Sequence, residues 1–147
     1  MTTALGLPTG SVRSAHAAEI GGTRHLLVPT DAAIGRLQPD VRLLGAAARA
    51  VRATGVGVVR RVDDATLHAR VFIPGSSVVE DPGTGSAAGP FGVLARRLWG
   101  TNVDVVIDQG VEMGRPCRIE VHAEAGNLRV GGAVSAFAQG IFTLRDL

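Results

Sequence analysis

Apolar positions along the chain fall into short runs with strand character and two stretches with helical spacing. Arg24-His25-Leu26-Leu27-Val28-Pro29 predicts a strand entering a turn. Asp31 is placed to N-cap a short helix over residues 32–37. A second helix starts at Pro39-Asp40, with Val41, Leu44, Ala48 and Val51 on one stripe, and Gly55 is expected to end it. Residues 56–62 are rich in β-branched side chains, Asp63-Asp64 reads as a turn, and residues 66–73 alternate. Leu67, Ala69, Val71 and Ile73 share one face; His68, Arg70 and Phe72 share the other, so a hairpin is expected. After a loop over 74–85, a helix from Ser86 to Trp99 carries Ala87, Phe91, Leu94, Ala95 and Leu98 as its apolar positions. Gly89, Pro90 and Gly92 weaken its first half, Pro90 being tolerable only near the first turn. Further strands are expected over 103–108, 118–123, 128–130 and 133–144, the last broken at Gln139-Gly140, with a turn over 124–127. The order predicts an α+β domain with a mostly antiparallel sheet rather than a doubly wound fold.

Composition narrows this picture. With 147 residues, 46% of them hydrophobic and 19% charged, the chain suits one packed domain over 1–147. Twenty Gly and seven Pro disfavour a bundle of long helices. No run approaches the roughly 18–20 apolar residues of a membrane span. Residues 1–13 lack a charged start followed by an apolar block, so neither a membrane partner nor a secretory signal is expected. All fifteen basic residues are Arg, scattered apart from Arg60-Arg61 and Arg96-Arg97, and aromatics are 3%. The high pI therefore reflects a flat titration curve, and nucleic-acid binding is not expected. The absence of Lys excludes a Schiff-base lysine and a P-loop. One cysteine, Cys117, excludes an internal disulfide and fits a buried structural thiol; a cytoplasmic location is the default.

The densest polar block is Glu80-Asp81-Pro82-Gly83-Thr84-Gly85-Ser86-Ala87, at a strand-to-helix junction. A helix N-terminus offers free N–H groups and about half a positive charge, which suits a carboxylate or phosphate. Gly85 lets a ligand approach the backbone, and Asp81 beside it is a candidate proton donor or acceptor. Spacing alone favours plain capping by Thr84 or Ser86, with Asp81 stabilising the turn. A second block, Gln109-Gly110-Val111-Glu112-Met113-Gly114-Arg115-Pro116, reads as a shaped loop or as an ordinary connection. Gly131-Gly132 suggests a β-bulge or a close backbone approach. His16, His25, His68 and His122 stand singly without metal-ligand spacing, so each reads as a surface or pairing histidine and no metal is expected. No Gly-x-Ser-x-Gly elbow is present.

Taken in order, Phe72-Ile73-Pro74-Gly75, the Glu80 block, Gln109-Gly110-x-x-Met113-Gly114-Arg115-Pro116 and Val130-Gly131-Gly132-Ala133-Val134 resemble the C-terminal half of the PhzF-like family of phenazine-biosynthesis isomerases. The resemblance runs from about Leu5 to Leu144. Gly83 stands where the family usually has Ala, and Cys117 where Ser is common. It implies a diaminopimelate-epimerase-like lobe, a sheet wrapped around a central helix that starts at Ser86 and ends at Trp99. It further implies cofactor-independent isomerisation or epimerisation of a small carboxylate-bearing metabolite by proton transfer in a cleft between two lobes. Asp81 matches an active-site carboxylate, and Gly85 and Ser86 match positions whose N–H groups hold the substrate carboxylate. Thr84, Gln109 and Gly110 join them as candidate substrate-binding residues.

The family's principal acid–base glutamate lies in an N-terminal lobe that nothing here matches. Three expectations follow. The chain is the C-terminal subunit of a split isomerase whose partner polypeptide supplies the other lobe. Alternatively, a second copy of the chain takes the missing lobe's place. Thirdly, the chain is a non-catalytic module that binds small carboxylates.

Overall fold

The structure is a computed structural model and describes residues 1–141 and 143. A short helix, α1 (Thr2–Leu5), precedes strands β1 (His16–Ile20) and β2 (Thr23–Pro29), helix α2 (Val41–Ala50), and strands β3 (Gly55–Arg61), β4 (Thr66–Phe72) and β5 (Glu80–Asp81). Helix α3 (Gly85–Trp99), β6 (Asp104–Gln109), a 3₁₀ turn (Val111–Met113), β7 (Cys117–Glu124) and β8 (Asn127–Gly132) complete it. The strands form one eight-stranded sheet in the order β1-β2-β3-β4-β6-β7-β8, with β5 attached to β4. β2/β3 and β4/β6 are parallel; the other pairs are antiparallel.

The sheet curls around α3. Ala87, Ala88, Phe91, Leu94 and Ala95 pack with Leu27, Val59, Leu67, Val71, Val105, Ile107 and Val121, which come from strands across the sheet. Small residues make this enclosure possible: a Cβ at Gly92 would lie 2.7 Å from Val121, and one at Gly57 would strike the Phe91 ring. Burying Phe91 and Leu94 contributes roughly 1.5–3 kcal/mol each. That offsets Pro90, which lies in the helix interior rather than its first turn and costs about 3 kcal/mol.

On the outer face, α1 and α2 cover only the β2–β4 region, where Leu5, Leu26, Val28, Leu44, Val56, Val58 and Phe72 form a second core. This explains two kinds of strand. β3 is apolar on both faces because both are covered, whereas β7 alternates because its outer face meets water. Asp40 caps α2, its Oδ1 accepting from the N–H groups of Arg42 (2.9 Å) and Leu43 (3.1 Å). Among the described residues, no helix is long and apolar enough to cross a membrane.

Four local expectations are corrected. Residues 32–37 form turns, not a helix. Thr30, rather than Asp31, accepts the Ala32 N–H, and Arg70 reaches from β4 to the carbonyl oxygens of Ile34 (3.1 Å) and Leu37 (3.2 Å). Gly55 does not end α2, which stops at Ala50; it opens β3, where a Cβ would lie 2.8 Å from Ile73. Gly131 and Gly132 pair regularly with Glu120 and Ile119, without a bulge. Residues 133–141 form no strand and leave Val134, Phe137 and Ile141 exposed; Leu144 lies outside the described residues.

Candidate active site

Two blocks that are remote in sequence meet along one edge of β4. β5 and β6 both pair with that strand, one after the other: Asp81 sits opposite Val71, and Gln109 opposite Ala69. The end of β6 therefore abuts the loop that enters α3.

Gln109 is 1% exposed and ties the two together. Its Nε2 donates to the Asp81 carbonyl oxygen (2.7 Å) and to Thr84 Oγ1 (3.0 Å), and its Oε1 accepts from the Thr84 N–H (3.3 Å). Gly110 follows at φ 75°, a conformation that favours glycine. A Cβ there would lie 2.7 Å from the Pro82 carbonyl oxygen and collide with that of Arg115. Thus Gln109 and Gly110 act on the loop itself.

The loop places its acid at the helix start. Thr84 holds the N-cap position of α3, but its side chain does not cap. Its hydroxyl donates instead to Asp81 Oδ2 (2.7 Å), while Asp81 Oδ1 accepts a long contact from the Gly83 N–H (3.4 Å). The Thr84 carbonyl accepts from the N–H groups of Ala87 (3.0 Å) and Ala88 (3.1 Å). The N–H groups of Gly85 and Ser86 have no acceptor among the described residues. Gly85 is exposed, and the space its Cβ would fill is open. Neither Thr84 nor Ser86 caps the helix through its side chain, so two donors and the positive end of the helix dipole stay available beside a half-buried carboxylate.

Alternation along β5 separates its two acids. Glu80 faces the outer side, where its carboxylate takes both Nε and Nη2 of Arg70 at 2.8 Å. This hydrogen-bonded pairing holds the guanidinium still more firmly protonated. Glu80 is therefore occupied with structure, and Asp81 alone is turned to the helix end. Across the same outer face, Glu112 of the second block lies 2.9 Å from His68 Nε2.

One residue near the site escaped sequence reasoning. His25, on β2, is 1% exposed and its Nε2 lies 2.9 Å from Ser86 Oγ. Burial pushes its imidazole below the ordinary value. The available signal was its parity with Leu27, which faces α3. Among the described residues no cluster of three or more His, Cys, Asp or Glu could hold a metal ion. Chemically, the arrangement offers an anion two N–H donors at the helix end and holds one carboxylate next to them.

Comparisons with known proteins give the family and the fold. The PhzC-PhzF family, described as phenazine biosynthesis-like protein, matches residues 4–140. A trans-2,3-dihydro-3-hydroxyanthranilate isomerase of Pseudomonas aeruginosa is 37% identical over 130 residues, covering 81% of this chain and 44% of the relative. Among solved structures, a predicted epimerase from Pseudomonas aeruginosa superposes with a TM-score of 0.70 at 30% identity, covering 93% of this chain and 49% of the other. A PhzF-family phenazine biosynthesis protein of Bacillus anthracis gives 0.65 at 17% identity over 88% and 48%, a likeness of fold. The chain spans less than half the length of the curated relatives it matches at 44% and 46%.

Proposed function

This chain belongs to the PhzC-PhzF family of phenazine biosynthesis-like proteins, and we propose that it forms the C-terminal half of a cofactor-independent isomerase that moves a proton on a small carboxylate-bearing metabolite. The observation that carries the reading is the pair of unpartnered N–H groups at Gly85 and Ser86 beside Asp81. The substrate carboxylate sits on those donors, and Asp81 takes or returns the proton. Thr84 orients the Asp81 carboxylate, while Gln109 and Gly110 position the loop that carries it. A partner polypeptide supplies the facing lobe and a glutamate as the second acid–base group. The relatives' name points to a cyclic carboxylate of the hydroxyanthranilate type as the first substrate to try.

The test is reconstitution with candidate N-terminal-lobe polypeptides in deuterated water. A 1:1 complex that introduces solvent deuterium into the substrate, and loses this with Asp81→Asn, supports the reading. Wild-type exchange rates for Asp81→Asn remove that carboxylate from the mechanism. An active homodimer that ignores every candidate replaces the split enzyme with a self-paired one.

A further inference from the structure

The contact between His25 and Ser86 has a direction, set by the other ring nitrogen. His25 Nδ1 is buried and has no hydrogen-bond partner among the described residues. A neutral imidazole carries one N–H and one bare nitrogen. Placing the proton on Nδ1 would bury an N–H donor without an acceptor, the rarer and costlier kind of orphan. Placing it on Nε2 leaves only a lone pair unmatched. Gly55 lies close to Nδ1: a Cβ there would lie 3.3 Å from it, beside Ile73 and the Phe72 carbonyl oxygen, and neither gives Nδ1 a hydrogen bond.

The tautomer decides what Ser86 can do. A hydroxyl has a single proton. If Nε2 were bare, it would accept that proton and leave Ser86 Oγ unable to donate elsewhere. With Nε2 protonated, Ser86 Oγ accepts at 2.9 Å and its proton is free. No other partner for this hydroxyl exists among the described residues. Ser86 stands in the first turn of α3, at the same end as the open N–H groups of Gly85 and Ser86.

We infer that His25 is a positioning residue: from beneath the helix end its Nε2–H donates to Ser86 Oγ and turns the Ser86 hydroxyl proton toward a bound carboxylate. The carboxylate thereby gains a third donor, after the two backbone N–H groups. This rests on the anion-site reading given above and adds to it the one side chain that donates to the ligand. It also accounts for a histidine at a strand position otherwise suited to an apolar residue.

The first experiment reads the tautomer directly, by ¹⁵N NMR of the ring in the wild-type chain. The expected signature is a protonated, pyrrole-type Nε2 coupled to its hydrogen and a bare, pyridine-type Nδ1. The opposite assignment overturns the inference whether or not any ligand binds. The second uses benzoate as the carboxylate probe, followed at the Gly85 and Ser86 amides. His25→Leu is expected to weaken benzoate roughly tenfold, the scale of one hydrogen bond to a charged group. His25→Gln, which restores an N–H donor, is expected to stay within about threefold of wild type, because most of that bond is regained. Ser86→Ala is expected to match His25→Leu. Undiminished binding in a folded His25→Leu overturns the inference. Failure of benzoate to move either amide in the wild-type chain overturns the anion-site reading instead.

Discussion

Replacing Gln109 by Leu should loosen the candidate site from behind without touching a ligand. The side chain is 1% exposed and makes three hydrogen bonds to the loop that carries Asp81 and Thr84. A typical internal hydrogen bond contributes about 1 kcal/mol net, and each backbone group left buried and unpaired costs about 1–3 kcal/mol. Leu removes all three bonds and orphans the buried Thr84 N–H, while it recovers the cost of burying the Gln amide. The expected loss is about 2–4 kcal/mol. With a urea m-value of about 1–3 kcal/mol/M for a small protein, the midpoint should fall by about 1–2 M. Fluorescence of Trp99, the single tryptophan, reports the transition from the far end of α3. Gln109→Glu separates bonding from packing. It keeps the acceptor for Thr84 but presents a carboxylate to the Asp81 carbonyl, so it should be as damaging at pH 7. Burial and the facing Asp81 carbonyl oxygen raise the folded pKa of that glutamate, so stability should return as pH falls and the acid becomes an O–H donor. A midpoint shift below about 0.3 M for Gln109→Leu, on the same m-value scale, would refute the claim that Gln109 braces the loop.

Three further outcomes are expected. Gly83→Ala places a methyl 2.8 Å from Cys117 Sγ and should cost about 1–2 kcal/mol, with Cys117→Ser restoring at least half; additive losses in urea unfolding would dismiss the coupling. Gly110→Ala should lower Tm by about 10 °C or more, because its φ of 75° and its neighbours both reject a Cβ; a drop of under about 3 °C in calorimetry would contradict this. Burial depresses the His25 pKa below 6.5, so its contribution is present above that pH and lost as pH falls through the folded value. His25→Gln should flatten the acid limb of the stability profile by at most ~1.4 kcal/mol per pH unit, and superimposable limbs would show that His25 is not a linked group.

Much of the fold was legible because its determinants are local. Asp40 announces α2 through its own side chain, and the alternation of residues 66–73 separates Leu67 and Val71 from His68 and Arg70 as the structure does. β1 was also legible in principle: Gly21-Gly22, with φ 55° and 78°, is a two-residue hairpin turn between Ile20 and Thr23. What stayed hidden depends on tertiary partners. β5 has two residues and exists only because β4 offers its edge. The turns at 32–37 depend on Arg70, which reaches from another element for their carbonyls. Motif order brought Asp81, Thr84, Gln109 and Gly110 forward as candidates. It did not show that Gln109 and Gly110 bear on the loop, or that His25 lies beneath Ser86.

The site's geometry also explains why it is built as it is. Gly85 is exposed and Asp81 half-buried, so charges on this face interact through water. Two unit charges 4 Å apart are worth about 1 kcal/mol in bulk water but about 4 kcal/mol near a protein surface of lower effective dielectric. A carboxylate on the open helix end therefore gains less than it would under cover. Covering the face with a second body would strengthen each existing donor without moving it. Such a site needs donors fixed in advance, because a lobe that reorganised on closure would spend the energy closure provides. The buried Gln109 amide, the left-handed Gly110 and the Thr84 hydroxyl supply that fixity. The structure invests its buried polar contacts behind the helix end and leaves Gly83 and Gly85 at its front exposed.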